Sequence, residues 1–402
     1  MKYKLKDLLE MKTQGVNTTT DNIKYVGKGY KIVQAKNIEK YHITFDENNY
    51  ISNETYERMK ENHKLHKGEV LYTNIGSQLG NSAIYNTDEE AIITWNVMKL
   101  IPKKDIITNY FLCYMLNYKQ PEIKKLNSSS TMPFVSGKEL MNLEIEVPSL
   151  EKQYKVTKIL CDIENKIYLN NQINDNLLKL NNQLYEEYFI NNNDENTNEV
   201  YLKDLIKVIN GYSYKGSELV DKSDIGLATI KNFERKGGFK EDGFKPLNPQ
   251  KIKGEQIVEK NDILVACTDL TQQADIIGNA VLLLGKAEYE KIIISMDLVK
   301  IIPKENIDNY VVFSILNSRE FKNFALGYKS GTTVLHLNKK CFDDFIIKLP
   351  NNNKLDIFSE MIKTTYEKIS NILEENRRLE KLRDTLLPKL MNGEIDLDKI
   401  EI

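Results

Sequence analysis

Residues 151–190 read EKQYKVTKILCDIENKIYLNNQINDNLLKLNNQLYEEYFI. No proline or glycine interrupts the run, and Leu160, Ile163, Ile167, Asn170, Asn174, Leu177, Leu180 and Leu184 recur at three- and four-residue steps. That spacing predicts a helix whose stripe packs against a partner helix. Residues 354–392 supply the partner, with Ile362, Thr365, Ile369, Ile372, Asn376, Leu379, Leu382 and Leu386. The two stripes match, including Asn174 with Asn376 and the paired short steps 177 to 180 and 379 to 382 that interrupt a strict heptad. At 1.5 Å per residue each helix could run roughly 60 Å, the length of a rigid spacer. Asn174 and Asn376 are expected to be polar core positions that fix register at a cost in stability. Asn376→Leu is accordingly expected to raise the melting temperature.

The rest of the chain repeats with the helices. Leu5-Lys6-Asp7-Leu8 returns as Leu202-Lys203-Asp204-Leu205, and Ala35-Lys36-Asn37-Ile38 as Ile230-Lys231-Asn232-Phe233. Lys67-Gly68-Glu69-Val70-Leu71 answers Lys260-Asn261-Asp262-Ile263-Leu264, and Gly80-Asn81 answers Gly278-Asn279. Ile101-Pro102-Lys103 through Leu116-Asn117 matches Ile302-Pro303-Lys304 through Leu316-Asn317, and Val147-Pro148 matches Leu349-Pro350. A duplication of this length predicts two similar α+β domains, 1–150 and 198–350. They alternate with two long helices, 151–197 (ending in the polar linker NNNDENT) and 351–402. Strands are expected at 91–94, 145–147, 291–295 and 345–347, and helices at 109–118 and 309–318. The topology favours antiparallel pairing of the long helices as a coiled coil, which would give a pseudo-two-fold internal repeat with the domains at opposite ends.

Length and composition fit a multidomain globular protein: 402 residues, 41% hydrophobic and 28% charged. A net charge of −2 rules out a global basic excess, so any nucleic-acid contact must use local patches. Cys113, Cys161, Cys267 and Cys341 form no CxxC pair and are expected to be reduced thiols. Without a signal-like or membrane-length apolar run, a cytoplasmic location is expected.

Catalytic patterns are missing. There is no GxxxxGK[ST] loop, Gly27-Lys28-Gly29 lacks the remainder of a dinucleotide fingerprint, and Asn248-Pro249-Gln250 reads as a turn rather than a methyltransferase motif. Asp162-x-Glu164-x-Lys166 is expected to be a solvated helix face, and His63 with His66 a basic helix end rather than a metal site. What stands out instead are polar loops at matching places. Thr73, Asn74, Ser77 and Gln78 answer Thr268, Asp269, Thr271, Gln272 and Gln273; Gln34, Lys36 and Asn37 answer Thr229, Lys231 and Asn232. Amide, hydroxyl and lysine side chains can read base edges, and Ser130, Thr131, Thr332 and Thr333 could hold phosphate oxygens. A shared scaffold with unlike loops suits the reading of two different short DNA sequences.

These features resemble the specificity subunit of type I restriction–modification enzymes. The resemblance spans the chain and rests on the half-repeat and on NGYSYKG at Asn210–Gly216, with Ser213, Tyr214 and Lys215 as DNA-contact candidates. It rests also on the turns at Lys67–Leu71 and Lys260–Leu264, SGTT…P within 330–350, and LLPKLMNGEI at Leu386–Ile395. Thr13-Gln14-Gly15-Val16-Asn17 departs from NGYSYKG. The resemblance implies two target-recognition domains, each binding half of a bipartite site in double-stranded DNA, with the helices as a ruler. The implied spacer contacts are Ile163, Ile167, Asn174, Leu177 and Leu184 against Ile369, Ile372, Asn376, Leu379 and Leu386. It also implies two partner methyltransferase subunits that carry S-adenosylmethionine and adenine-N6 chemistry, a restriction and translocation subunit that can join them, and no cofactor, catalytic site or membrane contact in this chain. A specificity protein of another methylation or defence system, or a coiled-coil scaffold that binds no DNA, are the alternatives.

Overall fold

Both long helices begin after the same short device. Pro148-Ser149 precedes a helix at Leu150–Tyr185, and Pro350-Asn351 precedes one at Asn352–Met391. Ser149 Oγ accepts from Lys152 N at 3.4 Å and Asn351 Oδ1 from Lys354 N at 3.1 Å, so each helix opens on a side-chain cap that satisfies an amide left free in the first turn. The first helix then widens into a π turn at Glu186–Ile190. The computed structural model describes residues 1–45, 50–127, 132–191, 197–235, 237–271, 273–305 and 307–397. Ser130, Thr131 and Gln272 lie outside these.

The chain forms two compact units, Met1–Tyr168 with Arg378–Ile402, and Leu169–Arg377. Each unit takes one globular half and a portion of both helices, so the division cuts the helices rather than falling at their ends. In the first unit Glu164 accepts from Arg383 Nη1 at 2.9 Å. In the second, Asn170 Nδ2 donates to Asn376 Oδ1 at 2.7 Å and Thr365 Oγ1 donates to Asn181 Oδ1 at 2.6 Å. Advancing from Asn170 to Asn181 on one helix retreats by the same number of residues, from Asn376 to Thr365, on the other. Within the unit the helices are therefore antiparallel.

The stripe differs from the sequence expectation at two places. Leu180 is 42% and Leu382 47% exposed, and the buried seam passes instead through Asn181 and Arg383. With those residues the alternation of three- and four-residue steps continues without a break, so the shared irregularity is a property of the leucines and not of the packing. Ile163, Ile167, Asn174, Ile369, Ile372 and Asn376 are buried, and Leu177, Leu184, Leu379 and Leu386 half-buried. Glu164 is not on a solvated face: it is 4% exposed, bound by Arg383 and by His42 Nε2 at 2.8 Å. The Arg383–Glu164 pair is screened little, because both side chains are largely withdrawn from water.

In the first unit the strands Leu9–Gln14, Val97–Pro102, Val70–Thr73 and Ser82–Ile84 form one antiparallel sheet in that order. Tyr25–Val26, Tyr50–Ile51, Tyr30–Val33 and Ala91–Ile93 form a second, with a parallel pair between the last two. The helix Asn109–Tyr118 packs its Phe111, Leu112, Met115 and Leu116 into a core shared with Leu160, Leu387 and Leu390 of the long helices. Burying such side chains contributes about 1.5–3 kcal/mol each, enough to anchor the helix ends to their domain. The second unit repeats the plan. Ile206–Asn210, Leu298–Pro303, Ile263–Ala266 and Ala280–Leu282 make one sheet, and Lys245–Pro246, Ile225–Ala228, Lys291–Ile294 and Ile257–Val258 the other. Its core takes in Tyr185, Phe189, Phe358, Ile362 and Tyr366 of the long helices.

The duplication reaches single contacts. Gly68 and Asn261 both adopt positive φ (90° and 71°), and their carbonyls accept from Asn109 and Asn309 respectively. Lys99 pairs with Glu69 at 3.0 Å and Lys300 with Asp262 at 2.6 Å. Gln120 Nε2 donates to Asn81 Oδ1 at 2.6 Å where Lys322 Nζ donates to Asn279 Oδ1 at 2.7 Å. His63 ends a short 3-10 turn, Glu61–His63, rather than a helix.

Candidate nucleic-acid interface

In the first unit several strand ends meet at one edge. Gln14 lies opposite Met98 and Thr73 opposite Val97, so both neighbouring strands end where Val97–Pro102 begins. The turn 94–96 enters that strand, held by Trp95 N donating to Val16 O at 2.8 Å and Val97 N to Thr94 O at 2.8 Å. Thr94 N donates to Val33 O at 3.0 Å, which brings Gln34 and Lys36 from the other sheet alongside. The loop after Thr73 is fastened to the segment before a short helix at Gly137–Met141: Gly76 N donates to Pro133 O at 2.8 Å and Val135 N to Asn74 O at 3.1 Å.

The second unit builds the same edge. Asn210 lies opposite Val299 and Ala266 opposite Leu298. Met296 N donates to Tyr212 O at 2.9 Å and Ser295 N to Ala228 O at 2.9 Å. Thr268–Asp269 pairs with Leu335–Leu337, which pairs in turn with Lys329–Ser330, so the strand carrying Thr268 and Asp269 and the hairpin carrying Thr332 and Thr333 belong to one small sheet. Gly331, at φ 107°, allows the tight return of that hairpin.

The candidate residues then sort by what their polar atoms already do. Asn37 and Asn232 are 3% and 0% exposed. Asn37 accepts from Gln34 N at 2.9 Å and donates to Thr44 O at 2.8 Å; Asn232 accepts from Thr229 N at 2.9 Å and donates to Lys240 O at 2.8 Å. Both amides cap short 3-10 turns from the inside, and in this conformation neither presents its edge to a base. Thr73, Asn74 and Thr268 are buried as well; Asn74 accepts from Gln14 Nε2 at 3.2 Å and Thr268 donates to Asp297 at 3.1 Å. Asp269, 1% exposed, organises its loop by accepting from Thr271 N and Oγ1 and from Ile276 N and Ile277 N. Burial opposes its charge, but these donors outweigh burial and hold its carboxyl below the usual range. Five of these six residues thus have their side-chain polar atoms engaged within the fold, and Thr73 Oγ1 is buried with no hydrogen-bond partner among the described residues.

The exposed candidates are Lys36, Ser77, Ser213, Lys215, Lys231, Gln273, Thr332 and Thr333, with Gln34, Gln78, Tyr214 and Thr271 half-buried. Gln34 Nε2 donates to Tyr25 Oη at 3.0 Å, and Gln78 accepts from Asn81 Nδ2 at 2.8 Å. Sequence reasoning missed Gln14, Trp95, Asn96, Met296 and Asp297, which occupy the same edges. The signal lay in the repeat: Ile93-Thr94-Trp95-Asn96 answers Ile294-Ser295-Met296-Asp297. It also missed that Gly15 answers Gly211. A Cβ on Gly15 would sit 2.2 Å from Thr94 O and one on Gly211 1.9 Å from Ser295 O, so both positions require glycine for the close approach. The first domain therefore shares the second domain's opening after all, through its glycine alone.

Comparison with known proteins shows the same duplication at the level of whole halves. The family model described as type I restriction modification DNA specificity domain matches residues 1–179 and again 194–381. The chain belongs to that family. It is 23% identical over 406 residues to the type I restriction enzyme HindI specificity subunit of Haemophilus influenzae, covering 82% of this chain and 87% of that one. It is 31% identical over 180 residues to the putative type I restriction enzyme MjaX specificity subunit of Methanocaldococcus jannaschii, a match spanning 42% of this chain and 40% of the relative. The crystal structure of a type I restriction–modification S subunit from M. genitalium shares the fold, with TM-score 0.59 at 14% identity, over 97% of this chain and 95% of that one.

Two further features of this specificity-domain chain concern its surroundings. Among the described residues, no helix is long and apolar enough to cross a membrane. All four cysteines are free; burial pushes the thiols of Cys113, Cys267 and Cys341 up to about 12, so at neutral pH they stay protonated and unreactive.

Proposed function

We propose that each domain reads one half of a bipartite duplex-DNA site and that the paired helices set the distance between the halves. The observation that carries this reading is the edge built twice from the same strand ends, the same glycine and the same turn. Its side chains differ at the turn, with exposed Trp95 and half-buried Asn96 in one copy and exposed Met296 and half-buried Asp297 in the other. A duplicated frame keeps two reading surfaces in a fixed form while their side chains specify different bases. Lys36 and Lys231, exposed at equivalent places, supply phosphate contacts that position each domain without specifying sequence. On this reading the chain does no chemistry itself. Two methyltransferase subunits bind the helices and bring S-adenosylmethionine and adenine-N6 transfer, a restriction and translocation subunit completes the assembly, and the work is intracellular because the substrate is host and invading DNA.

The test is co-expression with a type I methyltransferase subunit from the same genome, followed by sequencing of modified adenines in host DNA. A motif of two short specified blocks around a gap of fixed length, lost when this chain is deleted, supports the reading. Methylation that is unchanged by the deletion overturns it and leaves a helical scaffold.

A further inference from the structure

Two large apolar side chains stand in water at equivalent positions. Trp95, the chain's single tryptophan, is 42% exposed, and Met296 is 55% exposed. One exposed apolar residue needs no explanation, since folded surfaces carry many. Recurrence does, because the local backbone is tied down in the same way twice. Trp95 N donates to Val16 O and Met296 N to Tyr212 O, while Gly15 and Gly211 are pressed against the carbonyls of the residues just before them. The turn thus holds whatever side chain follows Thr94 or Ser295 out from the sheet end, and both copies place a bulky apolar group there.

The neighbours are those a base edge would use. Trp95 borders a concavity of about 350 Å³ shared with Tyr25, Gln34, Lys36 and Asn96. Amides pair with the adenine N6 and N7 edge, and apolar side chains pack on the thymine methyl in the major groove. Beside Met296 stand Ser213, whose hydroxyl lies 3.7 Å from its sulfur, and Asp297. Thioether sulfur is soft and unbranched, suited to a methyl surface of irregular shape.

We propose that Trp95 and Met296 are specificity-determining residues, each packing on a thymine methyl in its own half-site. This rests on the DNA-recognition reading above. The complex of the chain with its co-expressed methyltransferase selects from a randomised 40-base-pair duplex pool, in unsubstituted, Trp95→Ala and Met296→Ala forms. The expected result is a bipartite motif from the unsubstituted complex, loss of thymine preference in one half only with Trp95→Ala, and in the other half only with Met296→Ala. Deoxyuridine, which lacks the methyl, is then placed at each thymine of the selected duplex. At the contacted position it should weaken the unsubstituted complex about fourfold, the worth of one buried carbon, and leave the corresponding alanine variant unaffected. Substituted complexes that return the full motif, or a deoxyuridine penalty that persists in the alanine variants, overturn the proposal while the recognition reading stands. No motif from the unsubstituted complex overturns the recognition reading itself.

Discussion

Asn174 and Asn376 occupy the same place in the two copies of the helix, yet replacing them by leucine should have opposite effects. Asn376 is fully used: its oxygen accepts from Asn170 Nδ2 at 2.7 Å and its nitrogen donates to Asn171 Oδ1 at 2.8 Å, while Asn170 also donates to Glu375 at 2.8 Å. The antiparallel register that these bonds define places Asn174 level with Ile372, and Asn174 Oδ1 is buried with no partner among the described residues. A buried polar atom left unpaired costs about 1–3 kcal/mol. Asn174→Leu removes that cost and adds apolar contact, and should stabilise by about 1–2 kcal/mol. Asn376→Leu leaves Asn170, 1% exposed, with one N–H of its buried amide unpaired and takes the donor from the exposed Asn171, and should destabilise by about 2–3 kcal/mol. For a cooperative unit of this size each kcal/mol moves the melting temperature by about 2–4 °C. Scanning calorimetry of the full chain, reading the transition that contains residues 169–377, should therefore separate the two variants by about 6–20 °C. Equal destabilisation by both would refute the register. Stabilisation by Asn376→Leu, which the sequence alone leads one to expect, would refute the assigned asparagine network.

Three further outcomes follow from particular contacts. Arg383→Leu leaves Glu164 buried with the His42 ring as its remaining side-chain hydrogen-bond partner, and should lower stability by about 3 kcal/mol in urea unfolding, whereas the exposed pair Lys158–Asp162 should lose less than about 1 kcal/mol on truncation. Burial depresses the Lys322 ammonium to about 8, against 10.5 when unfolded. Between those values the unfolded chain binds more protons than the folded one, so this group's contribution to stability rises from pH 8 to pH 10.5; Lys322→Gln, which copies Gln120 of the first unit, should flatten that part of the stability–pH curve relative to the parent chain. Lys36→Ala and Lys231→Ala should each reduce the slope of log affinity for duplex DNA against log salt by about 1 and leave the selected motif unchanged; a changed motif would assign them to bases instead.

The helices were legible because apolar spacing over so many turns has one physical reading, and the duplication was legible because turn residues such as Gly80-Asn81 and Gly278-Asn279 keep their chemistry. The seam was misread where polarity hid it. Asn181 and Arg383 lie in the contact but carry no apolar signal, and the adjacent Leu180 and Leu382 drew the stripe one residue aside. Glu164 was read as solvated for the same reason: nothing local announces that Arg383 and His42 close over it from distant parts of the chain. The candidate edge was half legible. Polar residues in matching loops point to the strand-end turns, but whether an amide caps a turn from within, as Asn37 and Asn232 do, or faces outward depends on tertiary hydrogen bonds. Trp95 and Met296 carry no polar signal, and their exposure at the strand-end turns is visible only in the folded chain.

The most direct test of the central claim is to replace residues 1–150 with a second copy of 198–350 and sequence the modified adenines made with the co-expressed methyltransferase. If each domain reads its own half, the new motif consists of two copies of a single half-site at an unchanged gap. A motif that keeps both original halves, or methylation that ignores the exchange, would contradict it.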